Sequence, residues 1–174
     1  MRILVLSLIF MSCQATASGP KLYIFDCGLI ELDSLEMFNL RDTESPVRQM
    51  FVPCYLIEHE RGRLLFDGGL PKNIADSDGP VAIEGGSLSY DRWIVDQLGD
   101  IGLKPSDIDY ATYSHLHFDH AGAANAFASS QVILQRKEWD AAMASGGDFV
   151  DPSLMDGLSE DSISFIDGDC DVFG

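Results

Sequence analysis

Basic residues are scarce in this chain: 11 lysines and arginines stand against 28 acids, a formal net charge of −17. A surface of that sign repels nucleic-acid phosphates and anionic membranes, so neither is an expected partner. The strongest apolar run, residues 3–11, is too short to span a bilayer. There is no C-x-x-C pair, phosphate-binding glycine loop, nucleophile elbow, internal repeat or low-complexity segment. These absences remove the usual signatures of dithiol redox, nucleotide-phosphate and serine-nucleophile chemistry. Histidine is rare too, with four in 174 residues.

What is present suffices for a folded domain, because 46% hydrophobic residues and 10% aromatics can build a core. Arg2, the apolar run and the small residues Ala15-Thr16-Ala17 read as a signal peptide over residues 1–17, leaving one domain at 18–174. The expected location is periplasmic or secreted. A lipid anchor at Cys13 is disfavoured, since Phe10 matches the bacterial lipobox poorly. Three cysteines then remain. An oxidising compartment permits a Cys27–Cys54 bond, but the odd count and wide spacing define no framework. Cys54, between Val52 and Tyr55-Leu56-Ile57, is expected as a buried small hydrophobe.

Residues 22–28 and 29–32 have strand composition, interrupted by Gly28. Residues 51–58 and 63–67 form a hairpin around Glu60-Arg61-Gly62, with His59 an exposed turn residue. Asp67-Gly68-Gly69 closes that hairpin, either as a plain turn or as a carboxylate that receives the ring N–H of a ligand histidine. Residues 72–89 read as a loop. A helix follows, capped by Ser89 or Asp91, with Ile94 and Leu98 on its inner face and Gly102 ending it. A strand at 108–114, a short helix opening at 121, a strand at 132–134, a helix at 136–145 and a strand at 163–166 complete the pattern.

Three of the four histidines fall within six residues, in Ser114-His115-Leu116-His117-Phe118-Asp119-His120. Imidazoles with a carboxylate suit zinc, whereas calcium or magnesium sites are built mainly from oxygen. His115 and His117, two apart at a strand end, can hold one ion. Asp119 and His120 are placed to hold a second ion rather than to bend back onto the first. Two such ions share a hydroxide that is nucleophilic at neutral pH, the chemistry of ester hydrolysis, and Asp119 can pass a proton to the leaving oxygen.

The run His115-x-His117-x-Asp119-His120 resembles the metal signature of the metallo-β-lactamase superfamily. Ser114–Gly122, Val52–Ile57 and Gln135–Trp139 are similar to the corresponding segments of N-acyl-homoserine lactonases. The resemblance implies the N-terminal half of an αββα sandwich and two zinc ions in the complete site. His115 and His117 would bind one, Asp119 and His120 the other. It also implies a lactone or other small ester as substrate, consumed by a metal-bound hydroxide. Asp67 takes the place of the aspartate in the family's Asp-Thr-Gly turn, with Gly68 in place of threonine. Phe118 matches a residue near the acyl-chain pocket, and is equally readable as packing under the metal loop. Family members continue past the equivalent of Gly174 with a Gly-His motif, a bridging aspartate and a final histidine. The chain is therefore expected to be part of a longer enzyme and inactive alone. The alternatives are another hydrolase of the superfamily, a β-lactamase or glyoxalase II-like enzyme, or an inactive metal-binding fragment.

Overall fold

The computed structural model describes residues 19–145 and 149–174. The signal-peptide segment and Cys13 lie outside the described residues. The chain runs β1 (Lys21–Leu32), β2 (Gln49–His59), β3 (Gly62–Phe66), α1 (Lys72–Ala75), β4 (Val81–Ile83), β5 (Gly86–Ser89), α2 (Ile94–Asp100) and β6 (Tyr110–Thr112). It continues with α3 (Phe118–Ala121), β7 (Gln131–Gln135), α4 (Arg136–Ser145) and β8 (Ile163–Ile166). One mixed sheet results, in the order β4-β5-β1-β2-β3-β6-β7-β8. Strands β1, β2 and β3 pair antiparallel, while β3, β6, β7 and β8 run parallel. Among the described residues no helix is long and apolar enough to cross a membrane.

Alternation decides which face is covered. Val52, Cys54 and Leu56 of β2, Leu65 of β3, Ala111 of β6 and Val132 and Leu134 of β7 are buried. Together with Ile94 and Leu98 of α2, Phe127, and Trp139 and Ala142 of α4, they belong to one apolar core. Each large side chain fully buried this way is worth about 1.5–3 kcal/mol. On the other face Ile24, Tyr55 and Phe66 stand in register across three strands, with Ile24 62% and Phe66 36% exposed. Helices on one face and apolar side chains on the other make this one half of an αββα sandwich.

A bulge in β1 leads to the site. The β1–β2 register slips between Asp26, opposite Pro53, and Leu29, opposite Phe51, so Cys27 and Gly28 together face Val52. The carbonyl of Cys27, in the bulge, accepts from Leu70 N–H at 3.0 Å, tying the bulge to the segment after β3. A Cβ on Gly28 would lie 2.4 Å from Leu70 Cδ1, so this approach requires glycine.

Several sequence expectations change. Residues 72–89 are not a loop: β4 and β5 pair with each other, and β5 extends the sheet beside β1. Their strands are only three and four residues long, too short to show a period. Neither Ser89 nor Asp91 caps α2. Ser89 belongs to β5, and the helix begins after Trp93 without a side-chain cap. The small-residue run from 121 does form a short helix, a 3-10 turn at Ala124–Phe127, but a further helix, α3, precedes it from Phe118. Cys54 is buried but not free, since it is bonded to Cys27 with a Cα–Cα distance of 5.8 Å. His59 ends β2, and its ring stacks on Phe173 with centroids 4.6 Å apart.

Candidate metal centre

Asp67 follows β3 directly and extends its parallel pairing, donating its N–H to Thr112 O at 2.9 Å. Its φ of +63° is left-handed, a conformation that aspartate tolerates better than most residues. The two glycines after it clasp α3: Gly68 N–H donates to His120 O at 2.6 Å, and Gly122 N–H donates to Gly69 O at 2.9 Å. A Cβ on Gly122 would come within 2.2 Å of Gly69 O. Glycine is what lets the two backbones meet.

That clasp delivers the Asp67 carboxylate to the histidine cluster. Oδ1 accepts from Ser114 N–H at 2.7 Å, and Oδ2 accepts from Ser114 Oγ at 3.0 Å. His120 Nδ1 lies 2.9 Å from the same Oδ2. Ser114 Oγ also lies 3.0 Å from His120 Nδ1 and 3.2 Å from His115 Nδ1. With Nδ1 of His120 engaged, Nε2 is the nitrogen that faces the cluster, 3.3 Å from Asp119 Oδ2.

The spacing of the motif now has a structural cause. His117 O accepts from His120 N–H at 3.0 Å and Ala121 N–H at 2.9 Å, which starts α3 and turns Asp119 and His120 back over the loop. Donor atoms of His115, Asp119 and His120 consequently all lie within 4.8 Å of one another. The His115 ring sits between its partners, 4.0 Å from the His120 ring and 4.4 Å from the His117 ring. Asp119 and His120 thus do bend back toward His115, and His117 flanks this group of three. Two imidazoles and one carboxylate converging in this way fit the donor set of zinc.

The electrostatics follow from the packing. Burial opposes protonation of His120, but hydrogen bonds to Asp119 and Asp67 prevail and raise its pKa to about 9. Burial pushes His115 below the usual histidine range, and the neighbouring His120 and His117 add to this. Burial pushes the Asp119 carboxyl up, yet the hydrogen bond and charge of His120 hold it below the ordinary carboxylate range.

Phe118 is half-buried beside the cluster, and its N–H donates to Phe149 O at 2.8 Å. The two rings, with Pro71, Ile74, Ile83 and Leu88, border a groove of about 570 Å³ whose rim also carries the polar Asn73, Asp151 and Ser153. His117 lies against the same Phe149, with ring centroids 5.5 Å apart. Three contributors escaped the sequence reading. Ser114 and Glu138, whose Oε1 accepts from Leu116 N–H at 2.8 Å, stand inside segments singled out for their resemblance, but carried no local sign of their contacts. Phe149 sits in a polar stretch and had no signal.

A model of the Metallo-beta-lactamase superfamily matches residues 47–173. The chain belongs to this superfamily. Among its members, the N-acyl homoserine lactonase AiiA of Bacillus thuringiensis subsp. kurstaki is 38% identical over 130 residues, 71% of this chain and 51% of that protein. The N-acyl homoserine lactonase AttM of Agrobacterium fabrum is 32% identical over 154 residues, 77% of this chain and 56% of that one. The present chain thus spans about half the length of these relatives. A variant of B. thuringiensis AiiA, solved with N-decanoyl-L-homoserine at its active site, superposes with a TM-score of 0.68 at 30% identity. The match covers 87% of this chain and 61% of that one.

Proposed function

We propose that the protein is an exported zinc-dependent hydrolase that opens the ring of N-acyl homoserine lactones. The observation that carries this reading is the convergence of His115, Asp119 and His120 within 4.8 Å. Beside it runs a groove bordered by Phe118 and Phe149 that suits an acyl chain. Relatives named as lactonases, and an AiiA structure holding N-decanoyl-L-homoserine at its active site, support the choice of substrate.

His115, His117, Asp119 and His120 would hold the metal. Zinc, when bound, lowers the pKa of water toward about 7 and polarises an ester carbonyl. Asp67 keeps His120 in one orientation, with Nε2 toward the cluster. Asp119, an ionised carboxylate at neutral pH, takes a proton from the attacking water. The ring C–O bond breaks as the new acyl C–O bond forms, and Asp119 passes its proton to the departing ring oxygen. The product is the N-acyl-homoserine acid, ionised at neutral pH.

A pH-stat assay on the protein expressed from its natural reading frame, with zinc supplied, tests this. Acid release from N-hexanoyl- and N-decanoyl-homoserine lactone, lost in His115→Ala, is expected. No release from either lactone would overturn the proposal, as would nitrocefin turnover at a comparable rate, which points to a β-lactamase.

A further inference from the structure

Two N–H groups of the histidine loop are captured by carboxylates from other elements. Asp67 takes Ser114 N–H at 2.7 Å, and Glu138 Oε1 takes Leu116 N–H at 2.8 Å. Leu116 lies between His115 and His117, and its own side chain is fully buried. The short stretch carrying both histidines is therefore held by its side chain from within and by its amide from α4. Glu138 belongs to the first turn of α4, where a carboxylate is favoured by the helix dipole. The next residue, Trp139, is buried and packs on Phe165 with ring centroids 6.0 Å apart. The carboxylate thus rises from a helix anchored in the core, 22 residues along the chain from the amide it holds. A charge-assisted bond in a half-buried place, on an anchored base, is well suited to fix a loop.

We propose that Glu138 is a positioning residue for the metal centre, and this rests on the metal-site reading above. Through Leu116 N–H it fixes the spacing of His115 and His117, and with it the coordination geometry. It acts on the loop's amide and is not one of the proposed ligands. Partners of this kind change metal affinity by about 10–100-fold when removed.

The test uses the full chain, with zinc affinity from chelator competition and the visible spectrum of the cobalt(II)-substituted protein as readouts. Glu138→Gln keeps an acceptor oxygen at the same reach, and its affinity stays within about 5-fold of the parent with the cobalt bands unmoved. Glu138→Asp withdraws the carboxylate by one methylene and Glu138→Ala removes it. Both lose about 10–100-fold in zinc affinity and shift the cobalt bands. Circular dichroism of the metal-free proteins shows whether each variant is folded. If the alanine variant is not, the aspartate and glutamine variants decide. Parent-like affinity and spectrum in Glu138→Asp would overturn the proposal, as would a loss in Glu138→Gln equal to that in Glu138→Asp. A parent chain that binds no cobalt would instead remove the metal-site reading itself, and this is seen before any variant is made.

Discussion

Asp67 and His120 stand 53 residues apart in the chain, yet Asp67 Oδ2 and His120 Nδ1 are 2.9 Å apart. The contact exists because a left-handed aspartate after β3 and a glycine clasp bring the turn under α3. Asp67→Asn keeps the shape and the tolerance for φ > 0 but removes the charge that orients the ring. Zinc affinity is expected to fall about 10–100-fold, measured by competition with a chromophoric chelator. Unchanged affinity would show that Asp67 shapes the turn only.

The same contact has a pH signature in the metal-free protein. The folded pKa of His120, about 9, lies above its unfolded value near 6.5. Its stabilisation is therefore complete below pH 6.5 and is lost as pH rises through about 9. It amounts to about 2–3 kcal/mol at most for a ring that is 26% exposed. His115 has the opposite sign: its folded pKa is depressed, so its contribution is present above about pH 6.5 and is lost as pH falls below that. Urea midpoints of the metal-free protein should thus peak near pH 6.5 and decline toward pH 9, and a rise over that interval would contradict the arrangement.

The Cys27–Cys54 bond closes a loop across 27 residues and joins the β1 bulge to the middle of β2. Its loss removes a constraint on the unfolded chain worth about 3–4 kcal/mol by the chain-entropy relation. A Cys27→Ala, Cys54→Ala double variant should show that drop in denaturant unfolding, and reductant should then have no further effect on it. Reductant should lower the stability of the parent chain by a similar amount.

How much of this was legible depended on the distance over which each feature is encoded. The histidine cluster is local, six residues forming one turn, so its residue types identified the chemistry directly. The β2–β3 hairpin was legible because Val52, Cys54 and Leu56 alternate with less buried residues over a long strand. The β4–β5 hairpin was not, because its strands are too short to show a period and β5 is fixed by pairing with Ile30 and Glu31 of β1, far away in sequence, with β4 paired to β5 alone. The return of Asp119 and His120 toward His115 depended on a separate helix starting at Phe118, ahead of the small-residue run whose own turn is at Ala124–Phe127. Glu138 looks like an ordinary exposed first-turn acid in the sequence, and only the parallel β6–β7 pairing brings α4 beside the loop.

Phe118 has two neighbours pulling its interpretation in different directions, the core beneath α3 and the groove of about 570 Å³ beside it. Its N–H is fixed to Phe149 O, so the backbone position does not depend on the ring. Phe118→Ala therefore separates the roles. If the ring contacts an acyl chain, KM for N-decanoyl-homoserine lactone should rise by about 10-fold or more, the equivalent of roughly 1.5–3 kcal/mol of lost apolar contact, while kcat changes little. N-hexanoyl-homoserine lactone, with four fewer methylenes in reach of the groove, should lose less. A Tm that falls with no change in KM for either lactone would assign the ring to packing alone, and the groove would then owe its selectivity to Phe149, Ile83 and Leu88.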